Sequence, residues 1–346
     1  MSKSQKNLFA LPDADLAHIF HHAGADLEAL RGKSLFFTGG TGFFGKWLLG
    51  TLAHANTKLH LALQITLLSR DPAAFQQKYP QTEEVPGLDF LRGDVAHFSL
   101  PHGHLDFVLH AATDTSVPTN ETQEQERSRA IVEGTRRMLE LTRSSGAKRL
   151  LNISSGAVYG ADSGQPTGAK EEDYDSAHPL MPYAEAKREA EQICADSGLD
   201  FVTARAFAFL GPHLPLDAHF AAGNFLRDAQ RGGPILVRGD GSALRSYLYP
   251  ADLVVWLLRI LVRGQRGRAY NVGSDEVVST AQLARTIADA VEPKPEVTIQ
   301  SLQPQGPQNI YLPNVQRART ELNLDVAILL REGIERTLKF LRNTSP

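Results

Sequence analysis

The sequence predicts an α/β fold: a doubly wound parallel sheet joined to a smaller mixed α/β lobe. Over the first 200 residues, short apolar runs alternate with longer segments of helical period; the runs are "SLFFTG", "LQITLLSR", "LDFLRGD", "LDFVLHAAT" and "RLLNISS". That alternation is typical of βαβ units. Beyond residue 200 the runs shorten and lie among predicted helices near residues 217–231, 251–263 and 280–291, which indicates the second lobe.

Composition limits the classes of partner. The 346 residues carry 36 Lys and Arg against 39 Asp and Glu, and such a balance favours small molecules over nucleic acid or a membrane surface. The single cysteine, Cys194, excludes a disulfide framework and a cysteine-rich metal site and fits a reducing compartment. The N-terminus has no long apolar stretch, and no later segment holds the ~18 apolar residues of a membrane span. We therefore expect a cytoplasmic protein without a metal site.

A glycine-rich turn follows the first predicted strand. In "FFTGGTGFFGKWLLG", Gly39, Gly42 and Gly45 stand at the start of a helix. Glycines at these points allow a tight turn, close approach of the backbone to a pyrophosphate, and packing of the helix on the strand. The turn therefore predicts a dinucleotide site of the Rossmann type, with Thr41, Phe43 and Phe44 beside the cofactor.

The second strand ends in "LLSRDP", where a carboxylate would select the free 2′-hydroxyl of NAD. Ser69 stands at that position and Arg70 follows it, a pair suited to the 2′-phosphate of NADP. Alternatively, Arg70 is a surface residue and Asp71 serves the ribose. The end of the second strand is therefore compatible with either NAD or NADP as the cofactor.

Two further strand ends lie along the expected cofactor path. "RGDV" puts Asp94 and Val95 after the third strand, where the carboxylate can accept a hydrogen bond from the adenine amino group. "HAAT" follows the next strand, and we assign Ala111 and Ala112 to the cofactor and Thr113 to the substrate. Small residues there also suit tight packing.

"PYAEAKREAE" puts Tyr183 and Lys187 on one face at the start of a helix. A phenol is a weak base at neutral pH, and a nearby ammonium favours its phenolate. The pair is therefore a workable proton-transfer unit. It lies downstream of "RLLNISSGAVYG", in which Ser155 ends a strand.

Together, the glycine turn, Asp94, Ser155, Tyr183 and Lys187 resemble the extended short-chain dehydrogenase/reductase family, the nucleotide-sugar epimerases and dehydratases. The resemblance runs from about Lys33 almost to the C-terminus and includes "GPHLP", "GDGSALRSYLYPADL" and "YNVGSDEVVSTAQLA". It implies that Tyr183 takes a sugar hydroxyl proton, that Lys187 binds the nicotinamide ribose, and that Ser155 hydrogen-bonds the reacting oxygen. NAD is the cofactor expected from the epimerases.

The resemblance also implies a division of the chain and a substrate. Residues 1–32 form an N-terminal helical extension, residues 33–200 the NAD(P)-binding Rossmann domain, and residues 201–346 mainly the substrate lobe, partly interleaved with it. A nucleoside diphosphate sugar is the expected substrate, with Asn224 facing the diphosphate and Arg245 contacting a phosphate oxygen. We add His213 and His219 as candidate substrate residues. The helix near residues 121–144 and the helix that begins at Tyr183 predict a homodimer.

Departures from the family pattern limit the reaction. Ile131 and Ala208 stand where family members often have asparagine, and Gly156 and Ala157 follow Ser155 where dehydratases and decarboxylases usually have acids. Without those acids, elimination requires a carboxylate from elsewhere, such as Glu171, Glu172 or Asp173. We therefore expect an NAD(P)-dependent C4 epimerase. The alternatives are an NADPH-dependent 4-ketoreductase, a 4,6-dehydratase or decarboxylase, and a non-catalytic dinucleotide-binding protein.

Overall fold

A computed structural model describes residues 8–114, 120–160, 167–174, 180–301, 303 and 308–344. Twelve strands occur in this part of the chain. They are β1 Ser34–Thr38, β2 Gln64–Ser69, β3 Leu88–Arg92, β4 Phe107–His110, β5 Arg149–Ser155, β6 Phe201–Ala206, β7 Ile235–Val237, β8 Leu244–Arg245, β9 Ala269–Val272, β10 Val278–Ser279, β11 Val297–Ile299 and β12 Ile310–Tyr311.

Ten α-helices occur in the same residues, with short 3-10 turns at Pro80–Glu84, Gly156–Tyr159 and Glu171–Asp173. The helices are α1 Asp13–Glu28, α2 Phe43–Lys58, α3 Pro72–Lys78, α4 Glu121–Ser145, α5 Pro182–Asp196, α6 Ala221–Gln230, α7 Pro250–Arg263, α8 Thr280–Ala288, α9 Gln316–Leu322 and α10 Leu330–Thr344.

The main sheet has seven parallel strands in the order β3-β2-β1-β4-β5-β6-β9. Its central strands β1, β5 and β6 are buried almost throughout, as expected for a parallel sheet covered by helices on both faces. The strand order reverses between β1 and β4, and ligands of such sheets bind at the carboxyl ends beside that reversal. The predicted doubly wound α/β fold is confirmed.

The chain beyond residue 200 contributes to both parts of the molecule. Strands β6 and β9 complete the main sheet, whereas β8, β10 and β12 form one small sheet and β7 and β11 form another. Helices α6, α8 and α10 enclose a separate apolar core around Phe225, Ile287 and Ile334. Residues beyond 200 therefore belong partly to the main sheet and partly to the smaller sheets.

The N-terminal extension forms α1, which packs on α7. Helix α7 is buried from Pro250 to Leu258, and an apolar helix of this kind requires cover on every side. The carboxylate of Asp26 in α1, fully buried, accepts hydrogen bonds from Arg259 at 3.0 Å and Arg263 at 2.5 Å. His18 in α1 contacts the Asp252 carboxylate at 2.7 Å. The extension is thus held to the main domain by buried polar contacts as well as by packing.

The helices of the described residues do not combine the length and apolar character needed to cross a membrane.

We predict that Asp26→Asn lowers the free energy of unfolding by about 3 kcal/mol, because it leaves the part-buried Arg259 without its carboxylate. Urea denaturation followed by circular dichroism measures the change. Glu28→Gln is the matched control, since the Glu28–Arg31 pair is about half exposed and exposed pairs contribute less than about 1 kcal/mol. Equal losses in the two variants would contradict a structural role for Asp26.

Candidate active site

The turn between β1 and α2 requires glycine for steric reasons. Gly39 has φ +79°, and a Cβ there would lie 2.5 Å from the Ala111 carbonyl carbon of the next strand. A Cβ on Gly45 would lie 2.1 Å from the Gly39 carbonyl oxygen. Gly42 occupies the position before α2, where the helix presents free backbone N–H groups. The turn therefore has the close backbone approach and the helix N-terminus that a dinucleotide pyrophosphate requires.

A buried histidine connects the ends of β1 and β4 beside this turn. Thr38 Oγ1 lies 2.9 Å from His110 Nδ1 and accepts a hydrogen bond from the Ala112 amide at 3.2 Å. Burial lowers the pKa of His110 to about 3, so the ring is neutral at pH 7. Sequence reasoning missed His110 because its partner in β1 is 72 residues away.

The ends of β2 and β3 form the adenosine end of the site. Asp71 accepts a hydrogen bond from the Ala74 amide at 3.0 Å and caps α3, so the structure uses this carboxylate locally. Arg70 is exposed and has no hydrogen-bond or ion-pair partner among the described residues. Asp94 accepts a hydrogen bond from the Ala96 amide at 3.0 Å.

A cavity of about 890 Å³ runs along the carboxyl ends of the strands. A second cavity of about 720 Å³ adjoins it, and the two share Arg70, Asp94, Asp114, Arg127 and Ala130. Every residue assigned to the cofactor from the sequence lines the larger cavity. These are Gly39, Thr41, Gly42, Phe43, Phe44, Gly45, Ser69, Arg70, Asp94, Val95, Ala111, Ala112, Tyr183 and Lys187.

Ser155, Tyr183 and Lys187 meet in the wall of the larger cavity. Ser155 ends β5, and its hydroxyl accepts a hydrogen bond from the Ala157 amide at 3.2 Å. Lys187 is buried and donates to Thr113 Oγ1 at 2.8 Å and to the Ile153 carbonyl at 2.9 Å. Burial lowers the pKa of Lys187 to about 8, with the Glu191 carboxylate opposing the shift.

Tyr183 lies in the first turn of α5 with a half-buried side chain. Burial raises the pKa of its phenol, while a hydrogen bond with Ser155 and the charge of Arg127 oppose that rise. The guanidinium of Arg127 lies 4.9 Å from the centroid of the Tyr183 ring. The Tyr183 phenol ring is therefore in contact with a cation from α4, which sequence reasoning did not find.

A buried ion pair between Glu191 and Arg205 joins α5 to β6. The Glu191 carboxylate accepts hydrogen bonds from Arg205 at 2.7 to 3.2 Å and from Ser154 Oγ at 2.5 Å. Arg205 also donates to Tyr159 Oη at 2.8 Å, and Tyr159 donates to Asn271 at 2.7 Å. Ser154 thus connects β5 to α5 through Glu191, whereas the Ser155 hydroxyl lies beside Tyr311.

Tyr311, from β12, brings a second phenol close to Ser155. Its hydroxyl lies 3.4 Å from Ser155 Oγ and 3.4 Å from the Ala206 carbonyl. The Arg245 guanidinium lies 5.8 Å from the Tyr311 ring centroid. A helix-spacing or motif argument does not find Tyr311, because 156 residues separate it from Ser155.

Three of the predicted substrate residues besides Ser155 line the cavity: Thr113, His219 and Arg245. Arg245 is half-buried and donates to the backbone carbonyls of Leu244 and Asn309. It makes no ion pair with an acid in the part of the chain that the structure describes. The His219 ring lies 4.2 Å from that of Phe220.

His213 and Asn224, which the sequence analysis expected at the substrate, are not among the residues that line the cavity. The ring of His213 contacts the Phe9 carbonyl at 2.9 Å and packs on Phe340, so it joins the N-terminal extension to the substrate lobe. The Asn224 side chain accepts a hydrogen bond from Arg227 one helical turn later. Both side chains are engaged with neighbouring protein groups.

The acids considered as replacements for Gly156 and Ala157 are turned away from the cavity. Glu171 is buried and accepts a hydrogen bond from the Asn271 amide at 2.8 Å. Glu172 pairs with Arg317, and Asp173 accepts a hydrogen bond from the Lys170 amide at 2.8 Å. Residues 161–166 and 175–179 of the same loop lie outside the described residues.

Comparison with protein-family models matches residues 35–273 to the NAD dependent epimerase/dehydratase family. The chain belongs to this family. It is therefore an enzyme of the nucleotide-sugar epimerase and dehydratase type, and the resemblance inferred from the sequence is confirmed.

Individual family members are similar over nearly the whole chain. UDP-glucuronic acid decarboxylase 1 of Arabidopsis thaliana is 27% identical over 313 residues, which cover 88% of this chain and 69% of that protein. An epimerase from Methanothermobacter thermautotrophicus has a TM-score of 0.78 at 24% identity, with 94% and 96% of the two chains covered. UDP-glucose 4-epimerase of Thermotoga maritima, solved with UDP-glucose, has a TM-score of 0.75 at 20% identity, with 90% and 99% covered.

We predict that Gly45→Ala weakens the binding of NAD⁺ and NADP⁺ and lowers the free energy of unfolding by about 1–3 kcal/mol, because the added methyl collides with the Gly39 carbonyl. Calorimetric titration and thermal melting measure the two effects. Gly24→Ala in α1 is the control, since its Cβ meets no atom within 4 Å. Unchanged cofactor binding in Gly45→Ala would show that the turn does not hold the pyrophosphate.

Proposed function

We propose that this enzyme is an NAD(P)-dependent nucleotide-sugar epimerase that acts at C4 through a transient ketone. One observation carries the proposal. Ser155, Tyr183 and Lys187 converge in a cavity whose described lining contains only two carboxylates, Asp94 and Asp114, and both also line the adjoining adenosine-end cavity. The cavity therefore has groups for moving a hydroxyl proton, and neither of its two described carboxylates occupies the positions after Ser155 from which an acid would serve elimination.

Tyr183, Ser155 and Lys187 have different roles in the proton transfer. Tyr183 takes the proton of the sugar hydroxyl and returns it to the ketone oxygen. Ser155 hydrogen-bonds the same oxygen and keeps it within reach of the phenol. Lys187, fixed by Thr113 and the Ile153 carbonyl, holds the ribose side of the site and contributes positive charge. The nicotinamide cofactor, when bound, supplies the acceptor and donor of hydride.

The substrate lobe supports a nucleoside diphosphate. Arg245 brings a guanidinium to the cavity without an acid partner among the described residues, and such a group binds phosphate oxygens well. Residues Phe220–Ala222 at the start of α6 also line the cavity, where a helix N-terminus favours an anion. The Thermotoga maritima epimerase was solved with UDP-glucose, which supports a UDP-sugar for this chain.

Decarboxylation and dehydration are less well supported, although decarboxylases are among the relatives. A Cβ on Gly156 would lie 2.6 Å from the Phe207 ring, so this position has no room for a carboxylate side chain. Ala157 lines the cavity but carries no proton-transferring group. Ile131 and Ala208 also line the cavity, and their apolar side chains replace the amides expected from the family pattern.

An NADPH-dependent 4-ketoreductase is the second candidate, and the adenosine end favours it. Asp71 caps α3, while Ser69 and Arg70 line the cavity at the end of β2. A serine and an arginine at this position suit a 2′-phosphate.

The predicted homodimer through α4 and α5 stays a prediction.

We predict that Tyr183→Phe lowers kcat for epimerisation of UDP-sugars at least about 10²-fold, because general acid–base catalysis contributes a factor of that order. Nuclear magnetic resonance of the product sugar measures turnover, and calorimetric titration checks that cofactor binding is retained. Normal turnover by Tyr183→Phe would overturn the mechanism. Carbon dioxide from a nucleotide hexuronate, or loss of water from a nucleotide hexose, would overturn the choice of reaction.

We predict that Arg70→Ala weakens NADP⁺ binding by at least about tenfold, the effect of losing one charged hydrogen bond, and changes NAD⁺ binding little. Calorimetric titration with each cofactor measures the difference, with Arg92→Ala as the exposed control at the end of β3. Mass spectrometry of molecules released on denaturation identifies the resident cofactor. Bound NAD supports the epimerase, whereas bound NADP, with the expected Arg70 effect, supports the ketoreductase.

A further inference from the structure

Arg127 faces the reacting phenol from a different helix than the one that carries Lys187. Its guanidinium carbon lies 4.9 Å from the centroid of the Tyr183 ring, and its side chain is 16% exposed. A cation over the face of an aromatic ring is attracted by the ring's electron density, and the attraction increases as water is removed. The geometry is therefore a cation–π contact between α4 and the first turn of α5.

Glu124 fixes the position of this cation. One terminal nitrogen of Arg127 donates to both Glu124 carboxylate oxygens at 2.7 Å, and the two residues are three positions apart on α4. The pair is mostly shielded from solvent, with Glu124 22% exposed. The anchor limits the guanidinium to a small part of its rotamer space, so the Tyr183 ring has a defined neighbour.

Lys187 does not duplicate this contact. Its ammonium donates to Thr113 Oγ1 and to the carbonyl of Ile153 in β5. Arg127 instead lines both the main cavity and the adjoining cavity. Arg127 in α4 is therefore the cation recorded over the Tyr183 ring in the described residues, while Lys187 in α5 is engaged by Thr113 and Ile153.

We propose that Arg127 is a positioning residue for Tyr183, which holds the phenol ring toward Ser155 and favours the phenolate that accepts the sugar proton. The proposal rests on the proposed function, because it concerns the proton transfer assigned to Tyr183. In that step the sugar O–H bond breaks, the Tyr183 O–H bond forms, and Arg127 changes neither its protonation nor its bonding.

The electrostatics around Tyr183 support this role. Burial raises the pKa of the phenol, and Ser155 and Arg127 act in the opposite direction. Other titratable or charged groups lie near Tyr183 on the elements that surround the cavity. They are Glu124 on α4, Lys187 on α5, Tyr311 on β12, Arg245 on β8, His219 before α6, and Asp114 after β4.

The test compares Arg127→Met with Arg127→Lys. In Arg127→Met, which lacks the charge, the ascending limb of the plot of kcat/KM against pH moves to higher pH by about 0.5 to 1 unit, because the phenolate of Tyr183 is less favoured. Arg127→Lys retains a cation and restores most of that shift. Arg143→Met is the control on the same helix, since Arg143 is exposed and donates to the Ser197 carbonyl. A profile that is unchanged in Arg127→Met, or equally shifted in Arg143→Met, overturns the proposal.

A second measurement does not depend on turnover. Ultraviolet phenolate absorbance is titrated in the wild type and in Arg127→Met, each with and without Tyr183→Phe, and the difference isolates Tyr183. The proposal requires a higher pKa of Tyr183 in Arg127→Met, and an unchanged pKa overturns it even if the variant is inactive. Circular dichroism checks that each variant is folded.

Different results contradict the proposed function and the role of Arg127. Full activity in Tyr183→Phe contradicts the proposed function, whatever Arg127 does. A loss of activity in Tyr183→Phe, together with unchanged profiles and titrations in Arg127→Met, contradicts only the role of Arg127.

Discussion

The buried ion pair between Glu191 and Arg205 is the interaction on which the geometry of the active site depends. It joins α5, which carries Tyr183 and Lys187, to β6, and through Ser154 to β5, which carries Ser155. Breaking such a pair leaves an uncompensated charge in the interior, which costs more than the pair itself contributes. The Glu191–Arg205 pair and the Ser154 contact therefore fix the position of the Tyr183 phenol relative to the Ser155 hydroxyl.

The same network determines where acids are found. Arg205 and Asn271 hold the segment that contains Glu171, while Glu172 and Asp173 are engaged by Arg317 and the Lys170 amide. The described cavity lining near Ser155 includes the hydroxyl groups of Tyr183 and Tyr311 and the cations of Lys187 and Arg245. Glu171, Glu172 and Asp173 are thus engaged by neighbouring protein groups, and none of them lines the described cavity.

Contacts between the lobes extend beyond the cavity. Trp47 in α2 donates to the Pro212 carbonyl at 2.9 Å, His213 contacts the Phe9 carbonyl, and Tyr249 donates to Asp15 at 2.7 Å. The N-terminal extension thus touches the cofactor-binding helices and the substrate lobe at once. Histidine 213, expected at the substrate from its place after "GP", serves this packing because its ring meets the backbone of a segment 204 residues earlier.

Local patterns in the chain were enough to specify the α/β class, the glycine turn, and the set of Ser155, Tyr183 and Lys187, because each depends on short spacings along a strand end or a helix face. Tertiary packing specified the rest. Tyr311 and Arg127 reach the Ser155 hydroxyl and the Tyr183 ring from β12 and α4. Such contacts depend on how distant elements pack and on which partner satisfies each polar group, and no local spacing encodes either.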